Sequence, residues 1–385
     1  MLVKLNDVVS KISGNVDRFT TDLEYYLGGE HYESDRIAIY SKGIIKDNLG
    51  VLGFKFHFPF VAGDTIFMSR NPHLKKAGMI TYDGICSDTS YILRTKDNNV
   101  LDERYLPLVL QNEKFWRWFE ENKSGSVNYL LNWKTLREYE FELPSIEEQC
   151  RIADMAWSIE RTIVSYENMI EAIDELVKSQ FIKMFDQETN TERLDSLCTL
   201  FGDGDWIETK DQSEEGIRLI QTGNVGDGEF KDKGDKARFI SEDTFERLNC
   251  TEVIPGDILV SRLPDPIGRA CIVPEMDKAI TAVDCTIIRL KDILLPTFFV
   301  HYTKTPMYMN QVDSYTTGST RKRISRANLG SIKVPVPSID LQNEFVAFAD
   351  QAEKAKSSLL QSLSDAKALQ KIVIESNFAT PKEEV

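Results

Sequence analysis

The sequence predicts a mixed α/β (α+β) protein built twice over, with each of two globular segments followed by a long helix. Three observations lead there. An amphipathic stretch of about 40 residues, 143–185, has a counterpart at 336–378. The two copies stay in step at one offset, 193 residues, which extends back into the segments before them. Those segments hold short β-prone runs separated by Gly, Asp and Asn turns, the pattern of a central sheet with helices packed on it.

The first long stretch reads LPSIEEQCRIADMAWSIERTIVSYENMIEAIDELVKSQFIKMF. Pro144 and Ser145 punctuate its start, and Ser145 followed by Glu148 is a capping-box pattern. One apolar row runs Ile152, Ile159, Tyr166, Ile173, and a second runs Ile163, Ile170, Val177, Met184. Seven-residue spacing of this kind is coiled-coil periodicity. At 1.5 Å per residue the helix is roughly 60 Å long, more than a small domain needs for its own core. In the second copy Pro337, Ser338, Ile339 and Gln342 stand where Pro144, Ser145, Ile146 and Gln149 stood. Its apolar row is Phe345, Ala352, Leu359, Ala366 and Val373, with Leu363 on the other row. The small alanines suit two helices lying close together.

At 385 residues the chain calls for two or more domains. Apolar content of 42% and charged content of 28% are ordinary for a globular protein. There is no apolar run of the roughly 18 residues that a membrane span needs. The N-terminal MLVKLNDVVSKISG has no hydrophobic signal core, so a cytoplasmic location is expected. The six cysteines form no CxxC pair and no Cys/His cluster, and read as reduced thiols. A net charge of −15 argues at first against nucleic acid, but its distribution matters more. Residues 146–190 carry roughly −6 and the tail from 338 roughly −3, leaving the globular segments nearer neutrality and able to hold local basic patches.

Taken in order, residues 1–142 form the first globular segment, with strands expected in 51–61, 64–70, 78–84 and 90–95 and a helix in 108–120. It closes in a polar loop, a short helix and a strand over 124–144. A helical segment follows over 143–190, and DQETNTER (186–193) reads as a polar hinge. The second globular segment spans 191–335 and the second helical segment 336–385. Gly256-Asp257 matches Gly63-Asp64, Ala270 matches Ala77, Gly318 matches Gly125 and Leu329 matches Leu136. The N-terminal parts diverge: 203–225 has no counterpart near 14–36. A repeated framework with divergent loops is what two copies holding one architecture against different targets would show.

No catalytic constellation stands out: there is no P-loop, HExxH or GxSxG, and no GxGxxG after a strand. GDGD at 202–205 reads as a turn, lacking the downstream ligands of a calcium loop. A methyltransferase would need a glycine-rich cofactor loop and an Asn/Asp-Pro-Pro-aromatic motif, to which Asp265-Pro266-Ile267-Gly268 is only a distant approach. Binding loops are better represented. Arg262 and Arg269 flank a proline-stiffened loop, matched in the first segment by Arg70, Asn71, Lys75 and Lys76. The stretch 317–329 carries Arg321, Lys322, Arg323 and Arg326, interleaved with Ser319, Thr320 and Ser325. Its counterpart has Asn128, Asn132 and Lys134. Lys and Arg neutralise phosphates, Arg pairs bidentately with guanine and Asn with adenine, so the two loops would read different bases. The plainer reading is solvated loop charge.

These residues resemble the specificity (S) subunit of a type I restriction–modification system. The resemblance rests on the Gly-Asp…Ser-Arg stretches (Gly256 to Arg262, and Gly63 to Arg70 with one extra residue), on TGSTRKRI at 317–324, and on the LPSIEEQ and VPSIDLQ openings of the helices. It covers essentially the whole chain, twice. It implies two target-recognition domains, 1–142 and 191–335, each reading half of a split duplex DNA site. It also implies two conserved long helices packed antiparallel as a spacer that docks two methyltransferase (M) subunits, joined by endonuclease/translocase (R) subunits. The family's S subunit is not catalytic and binds no cofactor, S-adenosylmethionine, ATP and Mg being expected on the partners. The chain departs from the pattern at Asp340 and Asn343 around Gln342, at Lys356 on an apolar row of the second helix, and in the sparser basic residues of 124–134. Two other classes compete: a tandem coiled-coil scaffold for a non-DNA partner, and an enzyme with an unrecognised site.

Overall fold

The computed structural model describes residues 1–71, 74–123, 130–318 and 322–378. The chain divides into two compact units. One comprises Met1–Asn168 with the chain from Leu359 on, the other Met169–Ser358. Each unit therefore holds a globular body and half of each long helix.

In the first unit a five-stranded sheet runs in the order Val9–Ile12, Ser90–Thr95, Thr65–Met68, Ala77–Ile80, Ala38–Ile39, antiparallel except for the last pair. A second sheet has the order Gly43–Ile44, Tyr25–Leu27, Gly84–Ser87, Phe56–Phe60. The stretch expected as one helix over 108–120 is two, Leu106–Gln111 and Glu113–Asn122. Asn112 divides them, its extended backbone ending one helix while its side chain accepts from Phe115 N to cap the next. In the second unit the main sheet is Cys198–Asp203, Cys285–Leu290, Ile258–Ser261, Ala270–Ile272. A second four-stranded sheet and the helices Pro296–Thr303 and Pro306–Tyr315 complete the body.

Each body is closed by a two-stranded ribbon just before a long helix. Leu2–Lys4 pairs with Glu140–Glu142, and Thr191–Arg193 with Lys333–Pro335. The second ribbon takes up the end of the segment expected as a polar hinge, and Asn190 exchanges hydrogen bonds with Val336.

The long helices are Ile146–Phe185 and Ile339–Phe378, each of 40 residues. They pair antiparallel in both units. In the first, Gln370 lies against Ala156 and Glu160, and Lys367 against Glu167. In the second, Lys356 reaches Asp174 and Phe345 packs on Phe181 and Phe185. Every apolar-row residue named from the sequence on the two helices is buried or half-buried: Ile152, Ile159, Ile163, Tyr166, Ile170, Ile173, Val177, Phe345, Ala352, Leu359, Leu363, Ala366 and Val373. Ser145 Oγ accepts from Glu148 N, and Ser338 Oγ from Leu341 N, capping the two starts alike.

The motifs shared by the two copies have structural explanations. Gln149, fully buried, accepts from Asp102 N and donates to Val100 O and Pro144 O. Gln342, equally buried, accepts from Leu295 N and donates to Ile293 O and Pro337 O. All these positions differ by 193, so one amide clamp ties each helix start to its body. Likewise Asp64 accepts from Val61 N and pairs bidentately with Arg94, while Asp257 accepts from Ile254 N and pairs with Arg289. The preceding Gly63 and Gly256 hold φ of 95° and 88°, which only glycine adopts without strain. The bodies dock on the helices through equivalent apolar contacts. Tyr105 stacks on Phe378 beside Ile152 and Ile374 in one, and Phe298 meets Phe185, Phe345 and Phe181 in the other. Each fully buried ring of this kind contributes on the order of 2–3 kcal/mol.

An ion-pair network ties the first body to its helices. Arg36, 4% exposed, bridges to Glu160 (0% exposed) at 2.7 Å and to Glu167 at 2.8 Å on the first helix. Glu160 in turn accepts from Gln370 of the second helix at 2.8 Å. Glu229 occupies the position 193 residues after Arg36.

Candidate nucleic-acid interface

The basic loops lie at the same place in each body, fixed by the same backbone bond. Leu131 N donates to Ser69 O in the first, and Ile324 N to Arg262 O in the second. Ser69 N donates to Thr89 O, as Arg262 N does to Asp284 O. In both bodies, then, the end of a central strand, a neighbouring turn and the loop before a short helix converge. The short helices are Trp133–Leu136 and Arg326–Gly330. Asn132 and Ser325 are their N-cap residues, and Ser325 Oγ accepts from Asn328 N.

The residues proposed from the sequence separate into two groups. In the second body Lys322, Arg323 and Arg326 are exposed, and Thr317 and Arg323 pair through their backbones to close the loop. Arg262 and Arg269 are buried and organise the loop from behind. Arg269 donates to the carbonyls of Val225, Leu263, Pro266 and Thr222 at 2.7–2.9 Å, and burial lowers its pKa. Arg262 donates to Val283 O at 2.6 Å and lies 3.4 Å from Asp203. In the first body Arg70, Asn132 and Lys134 are exposed and Asn71 is half-buried. Lys75 is bound by Glu113 at 2.6 Å, and Lys76 by Gly29 O at 2.6 Å, which turns both away from free solvent. Asn128, Ser319, Thr320 and Arg321 lie outside the described residues.

Two residues of this cluster have no sequence signal. Asp203, the first aspartate after the glycine of GDGD, stands beside Arg262 and Arg326. Asp284 stands beside Arg323. Asp203 ends a strand and Asp284 lies in a turn, and neither gives a hint in the sequence that folding will place it among arginines. The corresponding part of the first body is held by neutral groups: buried Tyr91 OH donates to Leu131 O and accepts from Trp133 N, and Ser87 bonds Thr89. The arrangement offers exposed guanidinium, ammonium and amide groups in the first body and guanidinium, ammonium and hydroxyl groups in the second, suited to phosphate and base-edge contacts.

A second surface lies on the helices. Met155, Met169 and Leu176 are exposed at seven-residue multiples on the first, and Leu360, Leu369 and Ile372 are exposed on the second. Among the described residues no cluster of His, Cys, Asp and Glu is arranged to hold a metal ion, and no helix is long and apolar enough to cross a membrane.

Comparison with known proteins agrees with this architecture. The family model for the type I restriction modification DNA specificity domain matches residues 1–174 and again 187–366. The chain is 23% identical over 329 residues to the type I restriction enzyme EcoBI specificity subunit of Escherichia coli, covering 72% of this chain and 69% of that protein. It is 26% identical over 195 residues to the EcoDI specificity subunit of the same organism, covering 48% of this chain and 40% of that one. Among solved structures, the type I restriction–modification S subunit from M. genitalium superposes with a TM-score of 0.52 at 14% identity, over 99% of this chain and 96% of that one. A chain from a structure on complex assembly and conformational transition of the type I R-M system gives 0.58 at 17% identity, over 98% and 97%. With the specificity domain matched twice in tandem, the chain belongs to the type I restriction–modification DNA specificity family.

Proposed function

We propose that the chain is the sequence-specificity subunit of a type I restriction–modification complex and reads a bipartite duplex DNA target. The bodies within 1–142 and 191–335 would each take one half-site. The helical segments 143–190 and 336–385 would fix the spacing between them and dock two methyltransferase subunits, with endonuclease/translocase subunits completing the complex. The observation that carries the reading is the duplicated loop cluster. One backbone frame, set by Leu131 N to Ser69 O and repeated by Ile324 N to Arg262 O, presents different side chains in the two bodies. Two rigid readers at fixed separation suit duplex DNA, whose repeat is about 34–36 Å.

The DNA-facing residues in this reading are Arg70, Asn71, Asn132 and Lys134 in the first body and Lys322, Arg323 and Arg326 in the second. Arg262, Arg269, Lys75 and Lys76 would hold the loops in place. Chemistry on adenine, and the S-adenosylmethionine, ATP and Mg it uses, would belong to the partners, as would extrusion of the target base. The exposed row Met155, Met169, Leu176 is the surface we assign to a methyltransferase partner, because an apolar stripe on a long acidic helix suits another helix better than DNA.

The test is selection from a random duplex library by the complex assembled with its methyltransferase subunits. Two defined sequence blocks separated by a fixed gap are expected. Arg323→Ala should weaken selection of one block and spare the other, whereas equal loss at both would argue against independent readers.

A further inference from the structure

Asp203 sits where a DNA-binding surface ought not to hold a carboxylate. Its Oδ1 lies 3.4 Å from Arg262 Nη2 and 3.4 Å from Thr286 Oγ1, and its Oδ2 lies 3.7 Å from Arg326 Nη1. The two arginines differ in kind. Arg262 is 3% exposed and fixed by Val283 O and by the backbone bond from Ile324 N. Arg326 has a half-exposed side chain at the start of the short helix, facing outward. The order from the inside is thus a buried guanidinium, a carboxylate, then an exposed guanidinium. Asp284, 3.9 Å from Arg323, repeats the outer half of this arrangement on the adjoining turn.

For a surface that only neutralises phosphates this is a poor design. A carboxylate repels phosphate and cancels part of the charge that displaces counterions. The same carboxylate is useful if the outer arginine must hold one orientation. At 3.7 Å the Asp203–Arg326 contact is an ion pair beyond hydrogen-bond length, and its attraction draws one edge of the guanidinium toward the carboxylate and leaves the other N–H groups free for a ligand. Those groups match the O6 and N7 acceptors that guanine presents in the major groove. Among the described residues of the first body the arrangement is not repeated. That body has Ser69 at the place of Arg262, Thr89 at that of Asp284, and Trp133 at the position 193 residues before Arg326.

Resting on the specificity reading above, we propose that Arg326 reads the guanine of a G·C pair in the second body's half-site. Asp203, itself held by Arg262, is the positioning residue that sets the angle of that contact. The claim concerns one base pair in one half-site, and the first half-site is read without it.

The test uses the complete complex with its methyltransferase subunits and duplexes carrying the wild-type target, each base pair of both half-sites substituted in turn. Methylation rate is measured for wild type, Arg326→Ala, Asp203→Ala and Asp203→Asn. In wild type, one G·C pair of the second half-site should be strongly preferred. Arg326→Ala should reduce discrimination at that pair alone by about 5- to 150-fold, the range one good bidentate base contact supplies. Asp203→Ala should relax the same pair by less, and Asp203→Asn, which keeps an oxygen acceptor, by less again. Unchanged discrimination across the first half-site shows that the variants are folded and assembled. A second half-site without any G·C pair overturns the proposal and leaves the specificity reading standing. So does Arg326→Ala weakening all duplexes alike with the salt dependence falling by about one ion, the signature of a phosphate contact. Lowered stability of the Asp203 variants with base preference intact would reduce Asp203 to a structural residue and overturn its positioning role. A wild-type complex that prefers no sequence overturns both readings.

Discussion

Removing Glu160 should unfasten the first body from its helices. The carboxylate is fully buried and accepts from Arg36 Nη2 at 2.7 Å, Arg36 Nε at 3.2 Å and Gln370 Nε2 at 2.8 Å. With Glu160→Ala, a guanidinium that is 4% exposed keeps only Glu167 and Glu33, whose side chains are 33% and 54% exposed. Gln370 keeps only Ala156 O at 3.2 Å. Breaking one partner of a buried pair costs about 3–5 kcal/mol, and because Arg36 Nη1 keeps Glu167 and Glu33 the loss here is at the lower end, about 3 kcal/mol. In a unit of roughly 200 residues each kcal/mol moves the midpoint by about 2–4 °C, so the loss is roughly 6–12 °C. Differential scanning calorimetry of the full chain should show one transition shifted by this amount and the other unmoved. Arg36→Met with Glu160→Met removes both charges and should recover most of the loss, since an apolar replacement avoids the desolvation cost of the pair. Glu167 remains paired with Lys367 at 2.9 Å in that variant. A cost under about 1 kcal/mol for Glu160→Ala, or a double variant no better than the single, would refute the reasoning.

Three further predictions are independent of this one. Gln149→Ala and Gln342→Ala each strip one buried N–H and two carbonyls of their partner, and each should cost on the order of 3 kcal/mol in the denaturant midpoint of its own unit. His301, edge-on to Phe345, has its pKa lowered to about 4 by burial and secondarily by Lys304. Its unfolded pKa is near 6.5, so between those values the unfolded chain binds more protons, and stability present above pH 6.5 is lost as pH falls. The loss between pH 7 and pH 5 is about 2 kcal/mol, and His301→Phe should flatten that limb of the stability–pH profile. Met169→Glu, on the exposed row of the first long helix, should abolish co-purification of the methyltransferase subunit while leaving the melting temperature within a degree or two.

The framework was legible in the sequence because its signals are local or periodic. Ile152 to Val177 and Phe345 to Val373 mark the helices through their spacing, and the constant offset marks the duplication. Gln149 and Gln342 were visible as motif members, but their clamp was not, since its partners Asp102 and Leu295 lie 47 residues earlier. The row Glu160, Glu167, Asp174 was concealed by its own chemistry. Acidic residues at helical spacing read as a solvated face, whereas here they lie in or beside the helix seam, matched to Arg36, Lys367 and Lys356. Lys356, an apparent interruption of an apolar row, is matched at 2.6 Å by Asp174 of the paired helix. At the candidate interface the basic loops were recognisable by composition, but composition cannot separate a guanidinium that faces solvent from one that gathers carbonyls. Arg326 and Arg269 look alike in the sequence, yet one side chain is half-exposed and the other donates to four backbone oxygens.

In the proposed function the chain specifies a split DNA target through two independent bodies. The most direct test is to co-express the chain with its methyltransferase subunit in a host lacking other adenine methylation, and to map N6-methyladenine across the host genome by single-molecule sequencing. One motif with two defined halves and a fixed gap, methylated throughout, is expected. An active, stably assembled methyltransferase that marks no motif, or a motif that is continuous and ungapped, would contradict the proposed function.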